Sequence, residues 1–209
     1  MSKKQALTEF HRGSILAAAD RLFTEKGIER TTMDDIAREA EYSKATLYVY
    51  FQSKAEIINA ILHNGMVVLR KKIREAVESQ EDWLLAYDAL STAVIRFHDD
   101  NPTAFDAATG QTQVEVGEGI RGSAEIIRVG KEIDEELTAF LKRGIAAGVV
   151  RADLSPAETV PLLWAALAGI VRTSGNRTDY IKEQSGLDRE EYLKRGSHLL
   201  LVAITGKTD

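Results

Sequence analysis

Cysteine is absent from the 209-residue chain, and proline and the aromatic residues are scarce. Without cysteine there is no disulfide, no thiolate metal site and no cysteine nucleophile. The four histidines, His11, His63, His98 and His198, do not form the HExxH spacing of a zinc-binding helix. The tract His98-Asp99-Asp100 has metal-ligating residue types, but it falls where a helix ends and polar residues are expected, so no metal is predicted. No serine stands in a nucleophile-elbow context. No apolar run is long enough to cross a bilayer, and the polar N-terminus has no apolar signal core. Together these absences predict a soluble cytoplasmic protein that is not an enzyme and takes no cofactor. Positive charge is also lacking: the net charge of -5 is not the basic footprint usual for a nucleic-acid binder. A composition of 44% hydrophobic and 28% charged residues is nevertheless that of a globular chain.

The most informative segment present is Thr31–Ala60, TTMDDIAREAEYSKATLYVYFQSKAEIINA. Thr32 is a good N-cap with Asp35 three residues on, and Asp34 and Asp35 place negative charge where the helix dipole favours it. Ile36, Ala37 and Ala40 give that short helix one apolar face. Glu41 and Tyr42 form a turn, and Ser43 caps a second helix, Lys44–Tyr50, with Leu47 and Phe51 on one side. Ser53-Lys54-Ala55-Glu56 reads as a full capping box that opens a long helix. Two short helices and a tight turn are the parts of a helix-turn-helix, in which the second helix enters the major groove with its N-terminal residues forward. On that reading Lys44 suits a guanine edge and Ala45 a thymine methyl. Thr46, Tyr48 and Tyr50 carry hydroxyls for phosphates or base edges. Thr32 and Lys54 stand at helix N-termini, which favour a phosphate.

The pieces ILAAADRLFTEKG, TTMDDIA and SKATLYVYFQSKAEI make Ile15–Ala60 similar to the N-terminal domain of the tetracycline-repressor (TetR) family of bacterial regulators. By that resemblance Thr32, Lys44, Ala45, Thr46, Tyr48, Tyr50 and Lys54 match positions that commonly contact operator DNA. Ser43 and Val49 complete the candidate set, Val49 where relatives often have an aromatic. Two positions depart from the family. Glu41 replaces the usual turn glycine, and a left-handed Glu41 costs roughly 1–2 kcal/mol more than glycine. Tyr42 replaces a small aliphatic, and the sequence reading turns it toward DNA. The first sixty residues hold nine basic and nine acidic side chains, so the acidic excess lies in the rest of the chain.

The fold class expected is all-α, with about nine helices. An N-terminal three-helix helix-turn-helix DNA-binding domain, residues 1–56, precedes a C-terminal helical ligand-binding and dimerisation domain, residues 57–209. A first helix runs from near Glu9 to Lys26, with Gly27 ending it. Further helices are expected at about Lys54–Glu78, Trp83–His98, Thr103–Thr109, Ser123–Gly148, from the Ser155-Pro156-Ala157-Glu158 capping box to Ser174, and from Asp188 to Thr205. The run VPLLWAALAGIVRT and the closing HLLLVAI are too apolar for a monomer surface. Leu163, Leu167, Ile170, Val171, Leu199 and Val202 are therefore assigned to a homodimer interface, which the resemblance supports. Trp83, Tyr87, Phe97, Phe105, Phe140 and Trp164 fall at helical spacings that suit a core. The resemblance implies that such residues, with Gln111 as a polar orienter, hold a small-molecule effector.

The function implied is a repressor released from double-stranded operator DNA by its effector. The alternative is a nucleotide-cofactor-binding enzyme using Gly117–Gly122, a literal G-x-G-x-x-G. That reading needs a parallel sheet, for which the sequence offers no second strand.

Overall fold

Helices account for every regular element in the computed structural model, which describes residues 2–110 and 122–206. They are α1 (Lys3–Lys26), α2 (Met33–Glu39), α3 (Lys44–Tyr50), α4 (Lys54–Glu78), α5 (Trp83–Asp100), α6 (Pro102–Ala108), α7 (Ser123–Ala146), α8 (Pro156–Asn176), α9 (Thr178–Ser185) and α10 (Arg189–Thr205). No strand occurs among the described residues, and the all-α class stands. Packing divides the chain into two units, Met1–Val67 with Asn101–Val129 and Val68–Asp100 with Gly130–Asp209.

In the first unit α1 begins at Lys3, earlier than the periodicity predicts. Ser2 and Gln5 form a reciprocal capping box that carries the helix back through a polar stretch, and Leu7 and Phe10 there are exposed. Gly27, at φ 85°, ends α1 as expected. Ile15, Ala19 and Phe23 of α1 are buried, as are Ile36 and Ala37 of α2 and Leu47 and Phe51 at α3. Burial of each large side chain contributes roughly 1.5–3 kcal/mol. The Thr32–Asp35 capping box forms in both directions. Ser53 accepts from the Glu56 backbone N–H at 3.2 Å, while the Glu56 carboxylate accepts from the Gln52 N–H at 2.6 Å, one residue before the position a full box requires. Further along this unit Leu62, Ala107 and Ile126 make a small apolar cluster.

In the second unit the Trp83 indole donates to the Phe140 carbonyl at 2.9 Å, and the two rings lie nearly parallel with centroids 4.7 Å apart. Gly144 lies so close beneath Trp83 that a Cβ there would fall 2.6 Å from the indole. Tyr87 donates to the Ser197 carbonyl at 3.0 Å, tying α5 to α10. Arg70 pairs with Glu132 and Glu136, and Arg74 also reaches Glu136, which fastens α4 to α7.

Three details differ from the sequence reading. Among the described residues there are ten helices, the added one being α9. Its sequence TDYIKEQS buries only Ile181, too little apolar pattern to register as a helix, and Gly186 closes it in a left-handed conformation. Ser155 makes no side-chain cap hydrogen bond, so Pro156 at the first helical position starts α8 without the capping box. Helix α8 then continues through Pro161 to Asn176.

Glu41 is left-handed at φ 60°. The Glu41→Gly variant is therefore expected to raise stability by about 1 kcal/mol, the backbone strain being partly offset by the entropy of the added glycine. Chemical denaturation of the two proteins side by side measures this, and an unchanged or lower midpoint would contradict it.

Candidate nucleic-acid interface and interior cavity

Helix α3 is held by its buried side and presents the other. Leu47 and Phe51 are fully buried, while Lys44, Ala45, Tyr48 and Val49 are exposed, Val49 at 76%. Ser43 and Thr46 serve the helix start. The Ser43 hydroxyl accepts from the Thr46 backbone N–H at 3.0 Å and shares a hydrogen bond with the Thr46 hydroxyl at 2.8 Å. Thr32 is likewise spent on α2, its hydroxyl donating to Asp35 at 2.8 Å.

Two expected contacts are engaged elsewhere. Tyr42 does not turn outward: its hydroxyl shares a 2.6 Å hydrogen bond with Nδ1 of His11 on α1. His11 also lies edge-on to the Tyr42 ring, at 5.5 Å, and beside the Tyr50 ring, at 5.6 Å. Tyr50 is accordingly half-buried. Lys54 donates to the carbonyls of Ile28 at 2.8 Å and Thr31 at 3.1 Å, closing the α1–α2 loop instead of waiting for a phosphate. Arg12, not singled out from sequence, donates to the Tyr50 carbonyl at 2.8 Å and lies 4.1 Å from the Phe51 ring centroid. His11 and Arg12 thus hold both ends of the segment that carries α3. Neither has a local signal, because each acts on residues more than thirty positions away.

Cations of this region are largely paired. Lys44 meets Asp34 at 2.7 Å, Arg21 meets Glu39 at 3.0 Å, and Lys26 and Arg38 both reach Asp35, at 2.9 and 2.5 Å. Arg30 donates to the Lys26 carbonyl. The Asp35 carboxyl is held well below its ordinary value of 3.8, first by the Thr32 backbone N–H and then by Lys26.

The second unit holds a half-open cavity of about 70 Å³ among α4, α5, α7, α8 and α10. Trp83, Tyr87, Phe140 and Trp164 line it, four of the residues assigned to an effector. Phe97 and Phe105 do not. Both are fully buried away from its wall, Phe105 in the first unit, because helical spacing identifies a buried face without saying which interior it enters. Gln111 and the Gly117–Arg121 part of the glycine loop lie outside the described residues. Wall residues with no signal beyond apolarity include Leu90, Val94, Leu137 and Leu200, and Ser91 supplies a hydroxyl.

Of the residues assigned to a dimer, Leu163 and Leu167 line this cavity, Val171 is fully buried and Ile170 packs on Gly196. Leu199 is 68% exposed and Val202 half-buried. Leu162, not assigned, is 69% exposed. The run VPLLWAALAGIV has no polar stripe to mark its outer side, so sequence alone does not separate its inward residues from its exposed ones.

Among the described residues no group of three His, Cys, Asp or Glu side chains is arranged to hold a metal, and Asp99 pairs instead with His98 and Arg189. No helix among them is long and apolar enough to cross a membrane.

Residues 15–61 match the family described as "Bacterial regulatory proteins, tetR family". This segment is a tetR-family helix-turn-helix domain. An uncharacterized HTH-type transcriptional regulator of Mycobacterium tuberculosis is 35% identical over 124 residues, 57% of this chain and 59% of the relative. The chain thus spans about 59% of the length of that curated relative. Along nearly the whole fold it is similar to the tetR-family regulator PfmR of Thermus thermophilus, at 26% identity and TM-score 0.67, covering 90% of this chain and 96% of that one. The fold is also that of FadR from Bacillus subtilis in complex with stearoyl-CoA, at 14% identity and TM-score 0.65, covering 93% and 98%.

Two outcomes follow for this helix-turn-helix domain. Because the Asp35 pKa is lowered on folding, its stabilising contribution is complete above the ordinary carboxylate range and is lost as pH falls below it. Thermal melts between about pH 5 and pH 2 should show a steeper loss for the native chain than for Asp35→Asn, and parallel curves would contradict this. Separately, Tyr42→Phe deletes only the hydroxyl shared with His11 and should cost about 1 kcal/mol of stability, with little further loss when His11→Ala is added. Additive losses in that double-mutant cycle would show that the bond contributes nothing.

Proposed function

We propose that this protein is a transcriptional repressor that binds double-stranded operator DNA as a homodimer and is released from it by a small-molecule effector. The observation that carries the reading is the presentation of Lys44, Ala45, Tyr48 and Val49 on the free side of a capped α3, inside a helix-turn-helix matched by the family. Lys44 would exchange its exposed partner Asp34 for a guanine edge or a phosphate. Ala45 and Val49 admit close approach to thymine methyls, and the Tyr48 hydroxyl reaches the backbone or a base edge. The functional boundary is placed after residue 56, the ligand-binding and dimerisation part being 57–209. Such a regulator would act in the cytoplasm.

Pairing rests on the exposed apolar side of the second unit, where Leu162 and Leu199 stand with exposed Ala165 and Ala203. Isolated leucines this exposed are ordinary, but two on helices that pack together form a patch suited to a two-fold interface. Two copies bring two α3 helices to half-sites about 34–36 Å apart. The effector would bind in the cavity of the second unit. Its leverage is its preference for one arrangement of α4 to α8 over another, transmitted along α4, whose residues belong to both units. That the fold is shared with a regulator solved in complex with stearoyl-CoA supports a ligand-responsive reading in general.

Binding to a duplex from upstream of the protein's own gene, followed by fluorescence anisotropy, tests the reading. Lys44→Ala should weaken binding by about 1–3 kcal/mol, roughly five- to 150-fold, and Asp34→Asn should strengthen binding to all duplexes a few-fold by freeing Lys44. Since the first sixty residues hold as many acidic as basic side chains, the salt slope should be shallow, and one near that of a ten-phosphate binder would contradict the account. Leu199→Glu should yield monomers in sedimentation and lose duplex binding. Retention of a dimer would move the interface elsewhere.

A further inference from the structure

The cavity of the second unit is chemically one-sided. Among the described residues no Asp, Glu, Lys, Arg or His lines it. Its few polar groups are already committed to the protein. Trp83 donates to the Phe140 carbonyl and Tyr87 to the Ser197 carbonyl, and the Ser91 hydroxyl bonds to Tyr87. Desolvation also pushes the Tyr87 hydroxyl above its ordinary pKa, which keeps it neutral. An ion placed here would lose its water and gain no counter-charge, an unfavourable exchange that ordinarily drives the group to neutralise or leave.

Size adds a second constraint. An engineered apolar cavity of about 150 Å³ holds benzene, and sites for drug-sized ligands run to about 300–1,000 Å³. At about 70 Å³ the cavity is smaller than any of these, so a ligand is covered on all sides only if the wall spreads around it. Helix α8 contributes Val160, Leu163, Trp164 and Leu167 to the wall, and its separation from α5 and α7 would expose more apolar surface for the ligand to cover. Binding and helix displacement are therefore one event, which is what an effector must achieve to act at a distance.

We infer that the effector is an uncharged, mostly hydrocarbon molecule with at most one or two polar atoms, bound between α5, α7 and α8, and that ionic ligands, including coenzyme A thioesters, are excluded from this cavity. This rests on the effector-responsive reading above and sharpens it.

The two tryptophans of the chain, Trp83 and Trp164, both line the cavity, so intrinsic fluorescence reports on it locally. The full-length protein is titrated with 1-adamantanol and 1-decanol, with the carboxylate and ammonium compounds of the same skeletons, and with decanoyl-CoA. Neutral probes should change the tryptophan emission and bind at least tenfold more tightly than either charged counterpart. Leu200→Phe, which fills the cavity, should weaken them; Val94→Phe serves if that variant does not fold by circular dichroism. Charged probes binding as well as neutral ones, or no neutral probe binding, overturns the inference, as does undiminished binding to a folded cavity-filled variant. Duplex anisotropy in parallel separates the two claims. Neutral probes that bind but never release DNA leave the ligand class standing and count against the regulator reading. Release of DNA by a charged probe does the reverse.

Discussion

Helix α3 has seven residues, too few to hold a helix in water without support, and the burial of Leu47 and Phe51 supplies that support. The rest of the first unit follows from this. Capping by Ser43 settles where the helix starts, and the left-handed Glu41 allows the chain to turn into it. Arg12 secures its last carbonyl and covers the Phe51 ring, while His11 braces the turn through Tyr42. A side chain presented to a groove is useful only if its helix does not move, and here the immobility comes from α1.

Charge in the head is arranged by the same economy. Pairing Lys26 and Arg38 with Asp35, and Lys44 with Asp34, leaves little unopposed positive field. Recognition then depends on directed contacts at short range more than on general attraction to phosphate. The second unit follows an opposite rule. Its ion pairs, such as Arg70 and Arg74 on Glu136, lie between α4 and α7 outside the cavity, whose wall is apolar. A hydrogen-bonded indole and phenol at that wall keep the polar groups satisfied without offering them to an ion.

Much of this was legible beforehand. Capping residues and apolar spacing are local signals, and they placed α2, α3 and both ends of α4 correctly. Helix α9 escaped because one buried isoleucine in eight residues leaves no period to detect. Ser155 looked like a cap because it has the right residue type, but a hydrogen bond also needs geometry that no residue type guarantees.

Local pattern was enough to establish an all-helical chain and the helix-turn-helix within it, because helix starts, stops and faces depend on neighbours three or four positions away. Folding at long range decided which side chains were available. Tyr42 bonds to His11, Lys54 to the α1–α2 loop, and Phe105 enters the first unit's interior while Trp83 and Phe140 meet in the second's. In each case a hydrogen-bonding atom or a ring is satisfied by a partner distant in the chain, and only the packed backbone brings that partner within reach.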